Sequence, residues 1–169
     1  ATSLNKTASF NLADADHAFL GENDRDSAGD GMSGAGDVDG DGLPDLLIGS
    51  DDWDKDKAAE VGCAYLIMAS SLSDATMVLS NADHTFVGEA EEDHAAARVA
   101  TAGDVDGDGF ADIIMGAKGN DRSADGAGAA YLLYGGGFGV SSSLGLKDAD
   151  VAFLGANAEE SAGTSVSGA

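Results

Sequence analysis

The sequence predicts an all-β repeat protein assembled from short antiparallel strands. An Asp-Gly segment at residues 36–42 recurs at residues 103–109, so the repeat period is 103 − 36 = 67. An aromatic-Gly segment occurs three times at the same spacing, at residues 18–21, 85–88 and 152–155. Two unrelated motifs that share one period indicate a repeated structural unit, and the short apolar runs between clusters of Gly, Asp and Ser indicate that its elements are strands.

Each unit contains enough apolar and turn segments for four strands. In the first copy we expect strands at residues 30–35, 45–49, 63–69 and 76–88. The two central segments are apolar at consecutive positions, which is typical of strands that are buried on both faces. Four-stranded sheets that stack face to face around an axis, as the blades of a β-propeller do, provide that environment.

Residues 89–102 carry a competing helical signal. Acidic residues come first, Ala residues follow and Arg98 comes late, which is the charge order that a helix favours. The repeat equivalents, residues 27–35 and 161–169, contain several glycines, which a helix interior tolerates poorly. We therefore predict a turn followed by an inner strand.

The repeat divides the chain into two complete units and parts of two others. Residues 1–29 would hold the outer strand and connection of a preceding blade, residues 30–88 a first full blade, residues 89–155 a second full blade, and residues 156–169 the inner strand of a third blade. This is a partial propeller of about two and a half repeats, whereas closure takes about 4–8 blades. We expect further blades, either in a longer chain or from other copies of this chain.

The strongly acidic composition restricts the possible partners. The formal net charge is −23, and 24 of the 31 acidic residues are Asp, which favours turns and binds hard cations. Such a polyanion repels nucleic acid and anionic lipid, so neither is expected as a partner. No apolar stretch approaches the ~20 residues that cross a bilayer, so we expect no membrane insertion. The lone Cys63 is interpreted as a small core residue.

Acidic side chains recur at fixed places in two nine-residue loops, residues 37–45 and 104–112. Alternate side chains of a tight loop point inward and converge on one ion, while the Gly after the third Asp permits the sharp turn. We expect the backbone carbonyl at position seven, that of Leu43 or Phe110, to supply one more oxygen. The aspartates at positions one, three, five and nine are Asp37, Asp39, Asp41 and Asp45 in the first loop, and Asp104, Asp106, Asp108 and Asp112 in the second.

Calcium is the cofactor that these loops fit best, which predicts two Ca²⁺ sites. Four carboxylates within nine residues repel one another, and a hard divalent cation with several oxygen ligands relieves that repulsion. Magnesium prefers a smaller octahedron with retained water, and zinc favours Cys or His ligands, which the loops lack. An EF-hand is rejected because its position twelve should be Glu, and that position is Ile48 or Met115.

The motifs together resemble the FG-GAP repeat of integrin α-subunit propellers and their bacterial relatives. The matching segments are residues 19–22, 27–29, 36–42, 45–49 and 126–135. The resemblance implies that each repeat is one blade, that the acidic loop joins the first two strands of the blade, and that the eight loop aspartates hold structural calcium opposite the usual ligand-binding loops. The Gly-Ala-Pro that often follows in that family lacks its Pro here, at residues 49–51 and 116–118.

The expected function is binding, in an extracellular or cell-surface protein. Single-loop calcium sites often bind at ~10⁻⁴–10⁻³ M, which suits the calcium outside cells. Exposed loops would bind a protein or carbohydrate ligand, as in adhesion, and Trp53 in the acidic loop at residues 51–57 is a weak candidate contact. No nucleophile, phosphate-loop or Cys-cluster motif predicts an enzyme. Two alternatives stay open: a non-catalytic part of a secreted polysaccharide-degrading enzyme, and a self-assembling propeller fragment.

The three histidines predict no shared site. His17 and His84 are repeat equivalents, but the third copy has Val151 in their place. His94 replaces a serine of the other two copies, so we interpret it as a surface or turn residue.

Overall fold

The computed structural model describes residues 11–55, 58–138 and 142–168, and the regular elements in this part of the chain are strands and 3₁₀ turns. The strands are β1 Ala18–Leu20, β2 Met32–Gly36, β3 Asp45–Ser50, β4 Cys63–Ile67, β5 Thr76–Val78, β6 His84–Val87, β7 Ala95–Gly103, β8 Asp112–Ala117, β9 Ala129–Leu133, β10 Ser142–Gly145 and β11 Val151–Leu154. No α-helix occurs among the described residues, so the all-β prediction is confirmed. Residues 1–10 of the predicted preceding blade, and Ala169, lie outside the described residues.

Eight of the strands form two sheets with the same order. β2, β3, β4 and β6 pair as consecutive antiparallel neighbours, and β7, β8, β9 and β11 do the same. Turns rich in Gly, Asp and Ser reverse the chain between the apolar runs, so strands that follow one another in sequence lie side by side. The first three predicted strands are present, with bounds that differ by one or two residues.

The fourth predicted strand, at residues 76–88, is two strands in the structure. β5 leaves the first sheet and pairs in parallel with β1, and only β6 completes the sheet. A 3₁₀ turn at Leu79–Asn81 separates them and buries Leu79. The second copy repeats this arrangement, because β10 pairs in parallel with β6 of the sheet before it. Each repeat therefore adds a strand to the outer edge of its predecessor.

Both faces of the first sheet are buried. Leu47, Leu66 and Phe86 on one face pack with Met115 and Tyr131 of the second sheet. Residues on the other face, among them Ile48 and Tyr65, form a second cluster against the segment that carries β1 and β5. Neighbouring residues of one strand point to opposite faces, so the consecutive apolar residues of the central strands fill both clusters.

The segment at residues 89–102 confirms the prediction of a turn followed by a strand. β7 begins at Ala95, and the residues before it contain a turn. Glu92, His94 and Ala96 have positive φ angles of 63°, 49° and 65°, which no right-handed helix accommodates. Positive φ angles at alternate residues are therefore incompatible with the helix that the charge order favoured.

The repeat period holds for most of the two units. β3 and β8 begin one full period apart, at Asp45 and Asp112, but β4 and β9 begin one position short of a period apart, at Cys63 and Ala129. The loop between the second and third strands is therefore shorter by a single residue in the second copy, and the period is restored before β11. Within residues 156–168 the structure has one isolated bridge, from Ala162 to Gly128, in place of the predicted inner strand.

Cys63 is buried and unpaired, as expected for a small core residue. Among the described residues there is no helix with the length and apolar character that a bilayer crossing requires.

Candidate metal centres

The two acidic loops each bring three of their four aspartates together. The first loop joins β2 to β3 and the second joins β7 to β8. Within each loop, one carboxylate oxygen from each of three aspartates lies within 4.8 Å of the other two. The clusters consist of Asp37, Asp39 and Asp41 in the first loop, and Asp104, Asp106 and Asp108 in the second. All six side chains are exposed or half-buried, so solvent and ions reach both clusters.

Backbone N–H groups hold the carboxylates of the first loop in place. Asp37 accepts hydrogen bonds from Gly40 N at 2.8 Å and from Gly42 N at 3.0 Å, one on each oxygen. Oδ1 of Asp39 and of Asp41 accepts the N–H two residues further on, at 3.0 and 2.7 Å. These bonds curl the chain around the cluster and leave Oδ2 of Asp39 and of Asp41 available to a cation.

The second loop reproduces every one of these hydrogen bonds. Asp104 accepts from Gly107 N at 2.8 Å and from Gly109 N at 3.1 Å. Asp106 and Asp108 accept the N–H two residues on, at 3.1 and 2.9 Å. Neither loop contains Lys, Arg, His or Cys, so the available donors are hard oxygen atoms. That donor set fits Ca²⁺.

The aspartate at position nine has a different environment from the other three. Asp45 and Asp112 are 3% and 0% exposed and begin β3 and β8. Oδ2 of Asp45 accepts Val38 N at 2.9 Å, and Oδ1 accepts Ala69 N, beyond the end of β4, at 2.8 Å. Burial raises the pKa of Asp45, and the charges of Asp39 and Asp41 raise it further. The carboxylate therefore ties the acidic loop to the third strand of its sheet.

Asp112 makes the equivalent bonds in the second loop. Its Oδ2 accepts Val105 N at 2.6 Å and its Oδ1 accepts Gly135 N, beyond the end of β9, at 2.9 Å. Each carboxylate oxygen has two lone pairs, so these bonds are compatible with coordination of a cation in the same loop. The prediction that Asp45 and Asp112 are ligands stays a prediction, and the brace between loop and strand is an additional role.

The residues at position seven lie in different surroundings. Leu43 is 52% exposed, whereas Phe110 is half-buried. The Phe110 ring lies between two backbone segments: a Cβ on Gly40 would be 2.5 Å from Phe110 Cε1, and a Cβ on Gly136 would be 2.7 Å from Cδ2. The predicted carbonyl ligand of the second loop therefore belongs to a residue whose side chain touches the first loop.

Two backbone hydrogen bonds reinforce the contact between the loops. Ala111 N donates to Asp37 O at 2.8 Å, and Gly136 N donates to Val38 O at 2.8 Å. The first acidic loop is thus fixed from both sides, by its own strand through Asp45 and by the second sheet through its backbone carbonyls. The repeat carries no signal for this contact, because both loops have the same pattern.

One acidic position also recurs outside the two loops, in the connection that enters each unit. Asp26, Asp93 and Glu160 follow one another at the repeat period, and each accepts hydrogen bonds from residues three or four positions earlier. Asp93 is 1% exposed, and burial raises its pKa. Oδ2 of Asp93 accepts hydrogen bonds from Glu89 N, Ala90 N and Asn120 Nδ2. The repeat period shared by these three acidic residues is the sequence signal that could have predicted their structural role.

Trp53 lies in the β3–β4 loop, at the opposite end of β3 from the acidic loop. Its ring packs on the second core cluster, and its Nε1 atom is buried without a hydrogen-bond partner. Among the described residues, the other buried side-chain atoms without such a partner are Asp51 Oδ1 and His94 Nδ1. A buried polar atom left unpaired costs about 1–3 kcal/mol. All three of these atoms belong to residues in or beside one loop, which makes this region chemically unusual.

Comparison with known proteins identifies the repeat. The family model described as the FG-GAP repeat matches residues 33–64 and 96–133. Each match contains one acidic loop and the strands on either side of it. A comparison with curated proteins finds no match.

Proposed function

Since the chain carries two FG-GAP repeats, we propose that it is a calcium-binding β-propeller module of an extracellular or cell-surface protein. The supporting observation is that three carboxylates converge in each of two loops, with the same hydrogen bonds in both. The four-stranded antiparallel order of the two sheets and the burial of both faces of the first sheet are features of propeller blades.

Each acidic loop would hold one calcium ion. The ligands would be the three clustered aspartates, the position-nine aspartate and the carbonyl of Leu43 or Phe110. Bound calcium supplies two positive charges that offset the repulsion among the carboxylates and fix the hairpin between the first two strands. Filling both loops would change the net charge from −23 to −23 + 4 = −19.

Titration calorimetry with calcium tests this proposal. We expect two sites per chain, and one site in either Asp39→Asn or Asp106→Asn, because each change removes a charged ligand from one loop only. Each filled calcium site should also stabilise the fold by about 2.7 kcal/mol at a hundredfold excess over Kd. A chain that binds no calcium at millimolar concentration, or whose melting temperature does not respond to chelation, would refute it.

The ligand of the module would contact the loops at the opposite end of the strands from the calcium loops. Trp53 is the candidate contact there, since its half-buried ring sits on a rigid sheet. A glycan array and a screen of extracellular proteins with the calcium-loaded chain, repeated with Trp53→Ala, test this part. Binding that Trp53→Ala leaves unchanged would remove Trp53 from the proposal.

Two other roles are distinguished by separate measurements. Cleavage of polysaccharides by a longer form of the protein, surviving Asp39→Asn and Asp106→Asn, would favour a part of a degrading enzyme. Association that grows with concentration in light scattering would favour a self-assembling fragment, as the exposed apolar residues Phe153 and Leu154 on the outer strand β11 allow.

A further inference from the structure

We propose that Asp51, Asp52 and His94 form a zinc site, separate from the calcium loops, at the opposite end of β3. One potential ligand atom from each of the three residues lies within 4.8 Å of the other two. Asp51 and Asp52 follow β3, and His94 precedes β7 in the connection from the first sheet to the second. β3 is six residues long, so about 20 Å separates this cluster from the acidic loop.

Asp51 provides the observation that points to a ligand. Its residue surface is 7% exposed, and its Oδ1 atom is buried with no hydrogen-bond partner in the described part of the chain. Its other oxygen, Oδ2, lies 3.8 Å from Lys118 Nζ. A buried carboxylate oxygen without a donor is unfavourable unless a proton or a metal ion occupies it.

His94 presents a ring nitrogen without a hydrogen bond to the same place. Nδ1 is buried without a hydrogen-bond partner and lies 3.6 Å from Asp52 Oδ1. Nε2 lies 3.5 Å from Glu60 Oε2. When Nε2 carries the proton toward Glu60, the Nδ1 lone pair is available to a metal ion that Asp52 also binds.

Asp52 completes the set. Its Oδ2 accepts a 2.6 Å hydrogen bond from Ser27 Oγ, so its Oδ1 is the oxygen that faces His94. Each of the three residues thus has one polar atom beside an outer partner: Asp52 accepts the hydrogen bond from Ser27, and Lys118 and Glu60 lie 3.8 and 3.5 Å from Asp51 Oδ2 and His94 Nε2. Outer partners around the ligands are a common feature of metal sites.

The chemistry of the donors favours zinc over calcium. Two carboxylates and one imidazole match the three-ligand zinc sites that keep a fourth position open, whereas calcium takes six to eight oxygen atoms. Zinc bonds of 2.0–2.2 Å at a tetrahedral angle place two ligand atoms about 3.4 Å apart, close to the spacing of His94 Nδ1 and Asp52 Oδ1. Asp52 is 41% exposed in its side chain, so an ion can enter from solvent.

The repeat supplies an internal comparison. At the equivalent place in the second unit, Asp51 and Asp52 are replaced by Lys118 and Gly119, and His94 is replaced by Ser161. Ser161 has a φ of 51°, close to the 49° of His94, so the same backbone forms without the histidine. The fold therefore does not require these three ligands, and their presence at one junction only is an added feature.

The test uses the 169-residue chain with calcium in excess, so that the acidic loops are filled, and zinc as the added ligand. Competition titration should find one zinc per chain. His94→Ser, which installs the residue of the equivalent position, should weaken zinc binding at least tenfold, the loss that even an outer partner causes. Asp52→Gly should do the same. His17→Ser, a change at an exposed histidine, should leave zinc affinity unaltered and serves as the matched control.

Calcium stoichiometry in each variant separates loss of the site from loss of the fold, because a folded variant still binds two calcium ions. X-ray absorption at the zinc edge of the unaltered chain should show light-atom ligands and the multiple scattering of one imidazole ring, and this measurement needs no variant. Absence of zinc binding in the unaltered chain, equal zinc affinity in His94→Ser, or loss of zinc binding in the Asp39→Asn, Asp106→Asn double variant would each overturn the proposal.

Discussion

The ring of Phe110, in the second acidic loop, packs against the backbone of Gly40 in the first. A Cβ on Gly40 would be 2.5 Å from Phe110 Cε1. The ring cannot retreat freely, because Gly136 lies on its other side at a comparable distance. The two loops are therefore in mechanical contact, although nothing in their shared sequence pattern predicts it.

Gly40 and Gly107 allow this contact to be measured. Both have a φ of +80°, so Ala imposes the same backbone strain at either position, but a Cβ on Gly107 would have no atom within 4 Å. We expect Gly40→Ala to lower the free energy of unfolding by about 1–3 kcal/mol more than Gly107→Ala does, the usual cost of overpacking. Urea denaturation in saturating calcium measures both. Equal losses would show that the ring yields without cost.

The contact should also couple the affinities of the two loops for calcium. Phe110→Ala should weaken calcium binding at the loop of residues 37–45 by about fivefold, the low end of coupling between sites. Leu43→Ala is the control, since Leu43 occupies the same loop position, is 52% exposed and should leave the other loop unaffected. Calorimetry in the Asp106→Asn background isolates the first loop for Phe110→Ala, and the Asp39→Asn background isolates the second loop for Leu43→Ala. The same affinity with and without the Phe110 ring would contradict the coupling.

Substitutions of Asp45 and Asp39 should distinguish the hydrogen bonds that tie the acidic loop to its sheet from the binding of calcium. Asp45→Asn would turn an amide NH₂ toward either Val38 N or Ala69 N, because both carboxylate oxygens accept an N–H. We expect a loss of about 2–3 kcal/mol even without calcium, the cost of an unsatisfied buried donor. Asp39→Asn should change calcium-free stability little and remove the calcium response of its loop. Chemical denaturation with chelator and with calcium gives both numbers.

His84 should make stability depend on pH. It is 4% exposed, and burial lowers its pKa, with the charge of Asp83 acting in the opposite direction. The His84 imidazole binds a proton near pH 6.5 in the unfolded chain, and it does so only at lower pH in the native chain. Stability should therefore fall as the pH drops below about 6.5 and level off below the native pKa.

His84→Val, which uses the residue of the third copy, should remove that part of the pH dependence. Denaturation at pH values from about 5 to 8 compares it with the unaltered chain. His17→Val is the matched control, since His17 is exposed. Parallel stability curves for His84→Val and the unaltered chain would contradict the argument.

The repeat predicted most of the architecture. Motifs one period apart located the acidic loops, and consecutive apolar residues correctly indicated strands with two buried faces. The clustering of Asp37, Asp39 and Asp41 also followed from their alternate spacing, because tight loops turn alternate side chains inward. These features depend on local chemistry that one copy displays in full.

The features that escaped prediction all depend on contacts between distant segments. The segment at residues 76–88 was predicted as one strand, and only the neighbouring sheet determines that β5 pairs with β1. His94 was interpreted as a surface or turn residue because its equivalents are serines, and its proximity to Asp51 and Asp52 requires the folded connection. A repeat period identifies the residues that the copies share. It gives no information about residues that occur at one junction between units only.

The strand that each unit adds to its predecessor affects where the protein can be divided. β6 would otherwise end the first sheet with a row of unpaired N–H and C=O groups, which is the surface that seeds aggregation in β proteins. β10 pairs with residues 84–87 of β6 and protects that row. Expression of the first unit alone, cut at the repeat boundary near residue 88, would uncover it. Boundaries placed after Gly145 keep the protecting strand with the sheet that it covers.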